Sequence, residues 1–474
     1  SIGGAHQGAR RRSMTGSGRR PSRFALALVA LALVGFAIRV VAMEVSGPTV
    51  PSQLQGDALY YHEAANLLAD GKGFIDPYRY LYGGSEEVPM ADGSTRTVVT
   101  PKGHEEPTAG HPPMYVSYLA VFSWFGMDTI RWHQFASILL GTASIVVAGL
   151  LGRSLRSPRV GLITAALAAV YVNVWLSDLV IMSETAAVLF TLLTTAAGLR
   201  FWRAPSQGNA ALFGAVAALA ALSRAELVLY LPIVAAVALW RAPVAWRERV
   251  LRFAICGVVS VVVLAPWVIR NNLVMEERVT LSDGTGTVMV QANCDDTYYG
   301  AHIGYWSLRC GDPQPYGPNG ELLDESQRDV AVRARAMDYI SAHKGRLVTV
   351  VVPARIGRMW GLYEPLEQVR LDIGERRPRV LSWIGFMEYL VLAPAAIAGA
   401  IIQWRRRGPV LVLGLWAVMA TVTAATAFGA TRYRIAAEVS IVLFAALALD
   451  ALCAWIGRTR STEVEASAAD EVTA

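Results

Sequence analysis

Long apolar runs dominate the chain between residues 24 and 456, and most of them are separated by short segments that contain arginine. A helix needs about 20 predominantly apolar residues to cross the hydrocarbon core of a bilayer. The pattern therefore predicts an all-α polytopic membrane protein with about ten transmembrane helices. The predicted spans lie near residues 24–43, 131–152, 160–177, 184–202, 209–223, 225–240, 250–269, 381–403, 409–428 and 435–456.

The arginines predict how the spans are oriented. If residues 1–23 lie in the cytoplasm, each cytoplasmic connection contains at least two arginines, in agreement with the positive-inside rule. These connections are Arg153–Arg159, Arg200–Arg203, Arg241–Arg252, Arg405–Arg407, and the tail with Arg458 and Arg460. Two long segments then lie outside the cytoplasm, and we expect the membrane to be a bacterial inner membrane.

The expected organisation has five parts: a basic cytoplasmic arm (1–23), an N-terminal membrane module (24–269) that includes the first outer segment (44–130), a second outer segment or cap (270–380), C-terminal membrane helices (381–456) and a cytoplasmic tail (457–474).

Two apolar runs need a separate interpretation. Residues 114–127 form a run of only 14 residues that follows Pro112 and Pro113, so we predict a re-entrant or interfacial helix. Residues 24–43 could be a cleaved signal peptide. Arg39 lies inside this run and no clear small-x-small site follows it, which favours a retained signal anchor.

Composition supports the membrane assignment. Hydrophobic residues make up 54% of the chain and charged residues 17%, a lower charged fraction than in typical soluble proteins. The net charge of +6 is matched by the six arginines of residues 1–23, a segment without acids. This distribution argues against nucleic-acid binding, which needs a basic face on a folded domain, and favours contact with anionic lipid headgroups.

Several common catalytic and binding motifs are absent from the sequence. It contains no phosphate-binding loop with Gly-Lys-Ser/Thr, no His-Glu-x-x-His pair, no Gly-x-Ser-x-Gly elbow and no Cys-x-x-Cys clamp. Nucleotide-driven pumping, zinc proteolysis and serine hydrolysis therefore lack their usual signatures. Matching broken halves are also absent, which argues modestly against a secondary transporter.

The four cysteines fall into two groups. Cys256 and Cys453 lie in apolar runs, whereas Cys294 and Cys310 share the second outer segment. An oxidising compartment would allow the second pair to form a disulfide worth about 3 kcal/mol. Two free outer thiols are the alternative.

Asp57 opens an amphipathic helical pattern in the first outer segment, directly before Tyr60 and Tyr61. One interpretation is an ordinary helix-start acid, favoured by the helix dipole. The other is a general base next to aromatic side chains that could stack on a sugar.

A second pair of acids, Asp178 and Glu184, lies at the outer junction of the third and fourth predicted spans. Acids at the mouth of apolar helices are costly unless they are solvated or paired, so such acids are candidates for function. The alternative is a helix start in which Ser183 caps the helix and Glu184 occupies its first turn.

Four arginines occur at predicted outer helix ends, where positive charge is normally scarce: Arg224, Arg270, Arg432 and Arg434. Each could be an anchor that pairs with Glu226, Glu438 or lipid headgroups. Together they could bind a phosphate, for which the guanidinium group is well suited.

The second outer segment contains aromatic residues around Tyr298–Trp306 and then a polar helix predicted near Glu321–Lys344, with Val330 and Met337 on its apolar stripe. Residues 348–359, with Arg355 and Arg358, are predicted to form an interfacial helix. We expect this segment to be a lid or cap.

Four motifs, taken in order along the chain, resemble the polytopic C-type glycosyltransferases (GT-C), in particular the bacterial protein O-mannosyltransferase-like and lipid A aminoarabinose transferase-like enzymes. They are Asp-Ala-Leu-Tyr-Tyr-His-Glu-Ala-Ala-Asn-Leu-Leu (57–68), Gly-His-Pro-Pro-Met-Tyr (110–115), Pro-Trp-x-x-Arg-Asn (266–271) and Arg-Tyr-Arg (432–434). The similarity is diffuse, but it extends over most of residues 24–456.

The resemblance implies a membrane enzyme that takes a sugar from a polyprenyl phosphate and transfers it to an acceptor hydroxyl on the outer face. It assigns the catalytic base to Asp57 and the junction acid to Glu184 rather than Asp178. Two departures are visible: Ala58 stands where many relatives have a second acid, and Ala436 or Ala437 replaces a frequent proline. A bound divalent cation is therefore an open question.

The sequence-based hypothesis assigns a role to each candidate residue. Asp57 and Glu184 are the predicted catalytic acids, and the four outer arginines bind the donor phosphate. Tyr60, Tyr61, His111 and Asp178 are predicted to contact substrate. The acceptor is an envelope glycan, lipid or protein, and the reaction is expected to invert the sugar. A lipid-linked-sugar transporter or flippase and a non-catalytic envelope scaffold are the alternatives.

Overall fold

The computed structural model describes residues 22–89, 94–311, 316–317 and 320–473, with backbone alone beyond Gly457. Most of the predicted basic arm lies outside these ranges. The helices are α1 (Arg23–Ser46), α2 (Asp57–Ala69), α3 (Pro77–Tyr82), α4 (Met114–Trp124), α5 (Ile130–Leu155), α6 (Pro158–Val170), α7 (Val172–Leu179), α8 (Glu184–Arg203), α9 (Gln207–Ser223), α10 (Tyr230–Arg241), α11 (Trp246–Val274), α12 (Thr285–Ala292), α13 (Asp295–Tyr298), α14 (Glu325–Ala342), α15 (Lys344–Arg346), α16 (Val352–Met359), α17 (Pro365–Gly374), α18 (Arg379–Arg405), α19 (Val410–Thr426) and α20 (Ile435–Thr473). Strands β1 (Gly84–Pro89) and β2 (Thr95–Thr100) form an antiparallel hairpin in the first outer segment.

The predicted all-α membrane fold is confirmed, but the count of ten spans is not. Within the described ranges, six helices are long and apolar enough to cross a membrane: α1, α5, α8, α11, α18 and α20. The pair α6 and α7, bent by 46°, gives a seventh if it is counted as one span. The remaining predicted runs are helical but shorter, with 17 residues in α9 and α19 and 12 in α10.

Contacts at both ends of α8 show how far the shorter helices α9 and α10 extend. Arg224, which directly follows α9, forms a 2.8 Å ion pair with Glu184 at the start of α8. Arg241, the last residue of α10, lies 5.0 Å from the ring of Trp202 near the end of α8. The segment from Arg224 to Arg241, which contains α10, therefore extends along the full length of α8, and α9 extends along α8 up to Arg224.

The bundle has two chemically different ends. At the end where α8 begins, which we call the loop end, Arg131 of α5 donates to the backbone oxygen of Met43 in α1 at 2.6 Å. The opposite end, which we call the arginine end, contains the predicted cytoplasmic arginines, and Arg159 there pairs with Asp450 of α20 at 2.5 Å. Both outer segments lie at the loop end.

Arg39, the charged residue inside the first predicted span, forms a buried ion pair with Asp178. The Arg39 Nε lies 2.9 Å from the Asp178 Oδ2, and the two side chains are 0% and 1% exposed. Arg39 also donates to the backbone oxygens of Ala168 and Ala169, and Asp178 accepts from Thr185. Asp178 therefore joins α1, α7 and α8, and the prediction that it contacts substrate is wrong because both of its oxygens are used inside the bundle.

A break at Tyr171 divides the predicted span 160–177 into α6 and α7. Tyr171 adopts an extended conformation (φ −64°, ψ 107°), and the freed amide of Val172 donates to Glu388 of α18 at 2.8 Å. The Tyr171 hydroxyl donates to Glu438 of α20 at 2.7 Å. Polar groups from neighbouring helices thus satisfy the backbone at the break, as a membrane interior requires.

The short run after Pro113 forms α4, a helix of 11 residues. Its Tyr115 and Leu119 are completely buried in a cluster that includes Tyr61 and Ala65 of α2. At about 1.5 Å per residue, α4 is too short to cross a bilayer. It supports the first outer segment at the loop end.

The apolar stripe predicted for the polar helix of the cap is wrong. Val330 and Met337 of α14 are 37% and 50% exposed, because the helix turns Asp329 inward to accept from the amides of Gly286 and Thr287.

The helix α16, predicted to be interfacial, is largely buried inside the protein. Its Arg355 and Arg358 are buried and donate to the backbone oxygens of Ala292 and Ile303, respectively. Through these hydrogen bonds, both arginines stabilise the cap from inside the protein. The predicted disulfide between Cys294 and Cys310 is present, with the Cα atoms 5.8 Å apart.

The Arg39–Asp178 pair gives a stability prediction. Arg39→Met should reduce the free energy of unfolding by about 3–5 kcal/mol, because it leaves a buried carboxylate without a partner. Adding Asp178→Leu should recover much of this loss. Thermal unfolding in detergent measures both effects.

Lys72→Met is the matched control, because Lys72 pairs with Glu105 where both side chains are well exposed, and exposed pairs of this kind contribute little to stability. Equal destabilisation by Arg39→Met and Lys72→Met would contradict a structural role for the buried pair.

Candidate active site

Asp57 begins α2 at the loop end of the bundle. Gly56 precedes the helix with a positive φ of 50°, a conformation that favours glycine, and Asp57 occupies the first turn. Asp57 is therefore an acid in the first turn of a helix, as one interpretation of the sequence predicted, and its side chain also contacts other charged groups. Its Oδ2 lies 2.9 Å from the Arg432 Nη2, and its Oδ1 lies 3.7 Å from the His111 Nε2.

The surroundings of Asp57 stabilise its ionised form. Burial raises the pKa of Asp57, but the charges of Arg432, His111 and Arg224 outweigh burial and lower it to about 2. The carboxylate therefore stays ionised at every physiological pH. While Arg432 holds it, Asp57 is a weak proton acceptor.

His111 connects Asp57 to a chain of hydroxyl groups. Its Nδ1 lies 3.1 Å from the Tyr61 hydroxyl, which donates to the Ser183 Oγ at 3.0 Å. The rings of Tyr60 and Tyr61 pack against the imidazole at 4.7 and 4.8 Å between centroids. Both tyrosines are nearly fully buried, so they position His111 and present no open face to a sugar.

Glu184 and Arg224 form a second charged group beside the first. The Arg224 Nη1 lies 2.8 Å from the Glu184 Oε1, and its Nε donates to Glu226 at 2.6 Å. Ser183 makes no side-chain cap to α8, so the simple helix-cap interpretation fails for this residue. The ring of Tyr433 lies 5.7 Å from the Arg224 guanidinium and 5.9 Å from that of Arg432.

A narrow polar cleft opens next to these groups. Its wall includes Glu184, Arg432 and Glu438, together with Arg377 from the end of the cap, and Leu176 and Ile435 supply apolar surface. The Nε of Arg432 is buried and has no hydrogen-bond partner among the described residues. A buried donor without a partner is rare in proteins and marks a place where a ligand atom can bind.

The other two predicted phosphate-binding arginines have structural contacts. Arg270 donates to the backbone oxygens of Thr108 and Phe74 at 2.7 and 2.6 Å. Arg434 donates to Glu438 and to the backbone oxygen of Met359, and its guanidinium lies 3.7 Å from the Tyr389 ring. These contacts favour anchoring roles for both arginines.

The structure thus brings together Asp57, Glu184, Arg224, Arg432, His111, Tyr60 and Tyr61. It gives Asp178, Arg270 and Arg434 partners inside the protein, and the partner of Arg434, Glu438, is itself part of the cleft wall. Sequence reasoning missed Arg377 as a wall of the cleft and Ser183 as the partner of Tyr61. An arginine directly before an outer helix end was an available signal for Arg377. For Ser183 the sequence offered no signal beyond a helix start.

The charged groups do not fit a divalent cation. Among the described residues, no group of three or more His, Cys, Asp or Glu side chains could hold a metal ion. Asp57 and Glu184 each pair with an arginine instead. The possible divalent cation therefore has no supporting ligand set in the described part of the chain.

Comparisons with known proteins agree with this architecture. Residues 110–269, about a third of the chain, match the family model for dolichyl-phosphate-mannose-protein mannosyltransferase. This region contains His111, Glu184 and Arg224. No curated protein sequence matches the chain at a significant level.

Two solved structures of one enzyme share the fold. The oligosaccharyltransferase AglB from Archaeoglobus fulgidus, in complex with an inhibitory peptide and a dolichol-phosphate, is 14% identical with a TM-score of 0.52, and its apo form is 15% identical with a TM-score of 0.53. Each alignment covers 93% of this chain and 52% of the AglB chain, so this chain spans about half the length of AglB. ArnT from Cupriavidus metallidurans, bound to undecaprenyl phosphate, is 14% identical over 90% of this chain and 77% of ArnT, with a TM-score of 0.40.

The resemblance seen in the sequence is therefore confirmed at the level of the fold. The chain has the GT-C glycosyltransferase fold: a helical membrane bundle with its charged cleft beneath two loop segments at one end.

Measurements of protein stability can distinguish the anchoring arginines from the arginines of the site. Arg270→Met should destabilise the protein, because two backbone oxygens lose their donor at about 1–3 kcal/mol each. Arg432→Met should cost less, since its side chain is 21% exposed and its partner Asp57 is 27% exposed. Thermal unfolding in detergent measures both variants, and equal losses would contradict the division into anchoring and site arginines.

Proposed function

We propose that the protein is a glycosyltransferase that moves a sugar from a polyprenyl-phosphate donor to an acceptor hydroxyl. The observation that carries this proposal is the Asp57–Arg432 pair at the cleft, in which a carboxylate contacts a guanidinium whose buried Nε has no partner. The AglB structure with a dolichol-phosphate, which shares the fold, supports a lipid-phosphate ligand.

Arg432 is the first candidate for the donor phosphate. Its free Nε and the fork of its guanidinium can give two parallel hydrogen bonds to phosphate oxygens. Arg377 lines the same cleft, and its contact with Asp372 is a loose 4.0 Å pair, so its guanidinium can turn toward the ligand. Together these cations stabilise the charge that develops when the bond between the anomeric carbon and the phosphate oxygen breaks.

Asp57 is the proposed base, and donor binding activates it. A phosphate that binds Arg432 competes with the carboxylate for the same guanidinium. As the positive charge is shared, the pKa of Asp57 rises from its lowered value of about 2. The carboxylate then accepts the proton of the acceptor hydroxyl as that oxygen attacks the anomeric carbon, on the face opposite the phosphate, which gives inversion.

Glu184 and Arg224 hold the second side of the site. Glu184 is almost fully buried, and its ion pair with Arg224 fixes the guanidinium beside Tyr433. We assign acceptor orientation to this group. The negative charge of Glu184 also stabilises the positive charge of Arg432.

The orientation follows from the arginine-rich end of the bundle. With the arginine end in the cytoplasm, the cleft opens on the extracytoplasmic face of a bacterial inner membrane. The acceptor is then an envelope glycan, lipid or protein that presents a hydroxyl group there.

The test uses purified full-length protein with a panel of radiolabelled polyprenyl-phosphate sugars and an envelope fraction as acceptor. Transfer of label with release of polyprenyl phosphate is the expected result. Asp57→Asn should reduce the transfer rate by about 10²- to 10⁴-fold, since an amide cannot accept the proton. Arg432→Met should weaken donor binding by about 10-fold or more, the loss of a charged hydrogen bond.

Matched controls lie nearby. Asp70, at the other end of α2, and Arg370 of α17 are both exposed at the loop end, so Asp70→Asn and Arg370→Met should leave turnover and donor affinity unchanged. Wild-type turnover in Asp57→Asn would remove Asp57 from the mechanism. Movement of the labelled lipid across proteoliposomes without any glycosidic product would favour a transporter instead.

A further inference from the structure

A second proton-accepting group lies next to Asp57, and the inference drawn from it rests on the proposed transfer. Each transfer releases one proton from the acceptor hydroxyl. One carboxylate oxygen of Asp57, Oδ2, is held by Arg432, and the other, Oδ1, faces the Nε2 of His111 at 3.7 Å. The proton that reaches Oδ1 therefore has an imidazole directly beside it.

The hydrogen bonds of His111 define which ring nitrogen is free. The Tyr61 hydroxyl has a single proton and donates it to the Ser183 Oγ. The 3.1 Å contact between Tyr61 and His111 must then be donated by the Nδ1–H of the imidazole. A neutral imidazole carries only one N–H, so Nε2 has a lone pair that points toward Asp57.

The packing around His111 keeps this arrangement in place. Tyr60 and Tyr61 contact the ring on two sides, and the Tyr60 hydroxyl bonds to Thr108 at 3.2 Å. Tyr61 also packs edge-to-face on Tyr115 of α4 at 5.1 Å. The imidazole can turn little, so Nε2 stays directed at the carboxylate.

We propose that His111 is the proton-accepting partner of Asp57: the proton of the acceptor hydroxyl passes to the Asp57 Oδ1 and then to the His111 Nε2. In this step the acceptor oxygen forms a bond to the anomeric carbon, and the bond from that carbon to the phosphate oxygen breaks with its electron pair. The products are the glycoside, polyprenyl phosphate and an imidazolium–carboxylate pair. The imidazolium then gives its proton to water, and the site is reset.

The charges that face His111 come from four elements. They are Asp57 at the start of α2, Glu184 at the start of α8, Arg224 after α9, and Arg432 before α20. Burial lowers the pKa of His111 and the two arginines lower it further, which outweighs the opposite effect of the two acids. The ring is therefore neutral at neutral pH and able to accept a proton.

This assignment gives the rate a specific pH dependence. As the pH falls through the lowered pKa of His111, the ring becomes protonated before the reaction and can no longer accept a proton from Asp57. The rate should therefore fall on the acid side and level off near neutral pH. In the free protein the pKa of Asp57 lies far lower, at about 2. In the donor complex the two groups are distinguished by the variant, because an acid-side loss that belonged to Asp57 would persist when His111 is replaced.

The experiment measures single-turnover transfer by full-length protein saturated with donor between about pH 5 and pH 8, a range in which histidine titrates. His111→Gln should lower the plateau rate by about 10²-fold, the lower end of the range for proton transfer. It should also abolish the acid-side loss and leave donor affinity unchanged. His104→Gln, in the same outer segment and 36% exposed, is the matched control and should retain the wild-type rate and profile.

Three outcomes would overturn the inference without affecting the proposed function: a wild-type rate in His111→Gln, an acid-side loss that persists in this variant, or donor affinity that rises as wild type is acidified and falls in the variant. The last result would assign His111 to phosphate binding as a cation. Absence of transfer by wild type with every donor would instead contradict the proposed function.

A measurement that needs no activity tests the same point. Nitrogen-15 NMR of histidine-labelled protein, assigned by comparison with His111→Gln, should show His111 protonated at Nδ1 and unprotonated at Nε2 at neutral pH. A proton on Nε2 would overturn the inference, because that nitrogen could then accept nothing from Asp57.

Discussion

A charge among apolar helices is stable only when an opposite charge or several hydrogen-bond donors or acceptors lie next to it. This requirement organises the bundle. Arg39 and Asp178 join three helices through one ion pair. Arg434 and Glu438, four residues apart where the last helix begins, form another buried pair that also contacts Met359 and Tyr171. The cleft follows the same rule with one difference: its Asp57–Arg432 pair is partly exposed, so a ligand can reach it.

This difference in exposure distinguishes charges that stabilise the fold from charges that are accessible to a ligand. The Arg39–Asp178 pair has no access to solvent and no vacant donor near the cleft. Arg432, in contrast, has a buried Nε with no partner and a carboxylate partner that is about a quarter exposed. Arg432 is therefore accessible to an anionic ligand, which would contact the same guanidinium as the carboxylate.

The sequence predicted the helical membrane fold, the disulfide and the approach of Asp57, Glu184, Arg224 and Arg432 to one end of the bundle. These features follow from local patterns: apolar runs, arginine-rich connections and cysteine placement. It could not divide the arginines into anchors and site residues, because Arg270 and Arg434 have partners that are distant in sequence. Asp178 was misassigned for the same reason, since its partner Arg39 belongs to the first helix.

The site also combines distant parts of the chain: Asp57 precedes almost every membrane helix, and Arg432 precedes only the last. During synthesis, a nascent chain therefore carries Asp57 without its counter-cation until the final helix has been inserted. Products that terminate before Arg432 lack this cation and have an incomplete cleft. The charged cleft is therefore complete only when translation has passed Arg432.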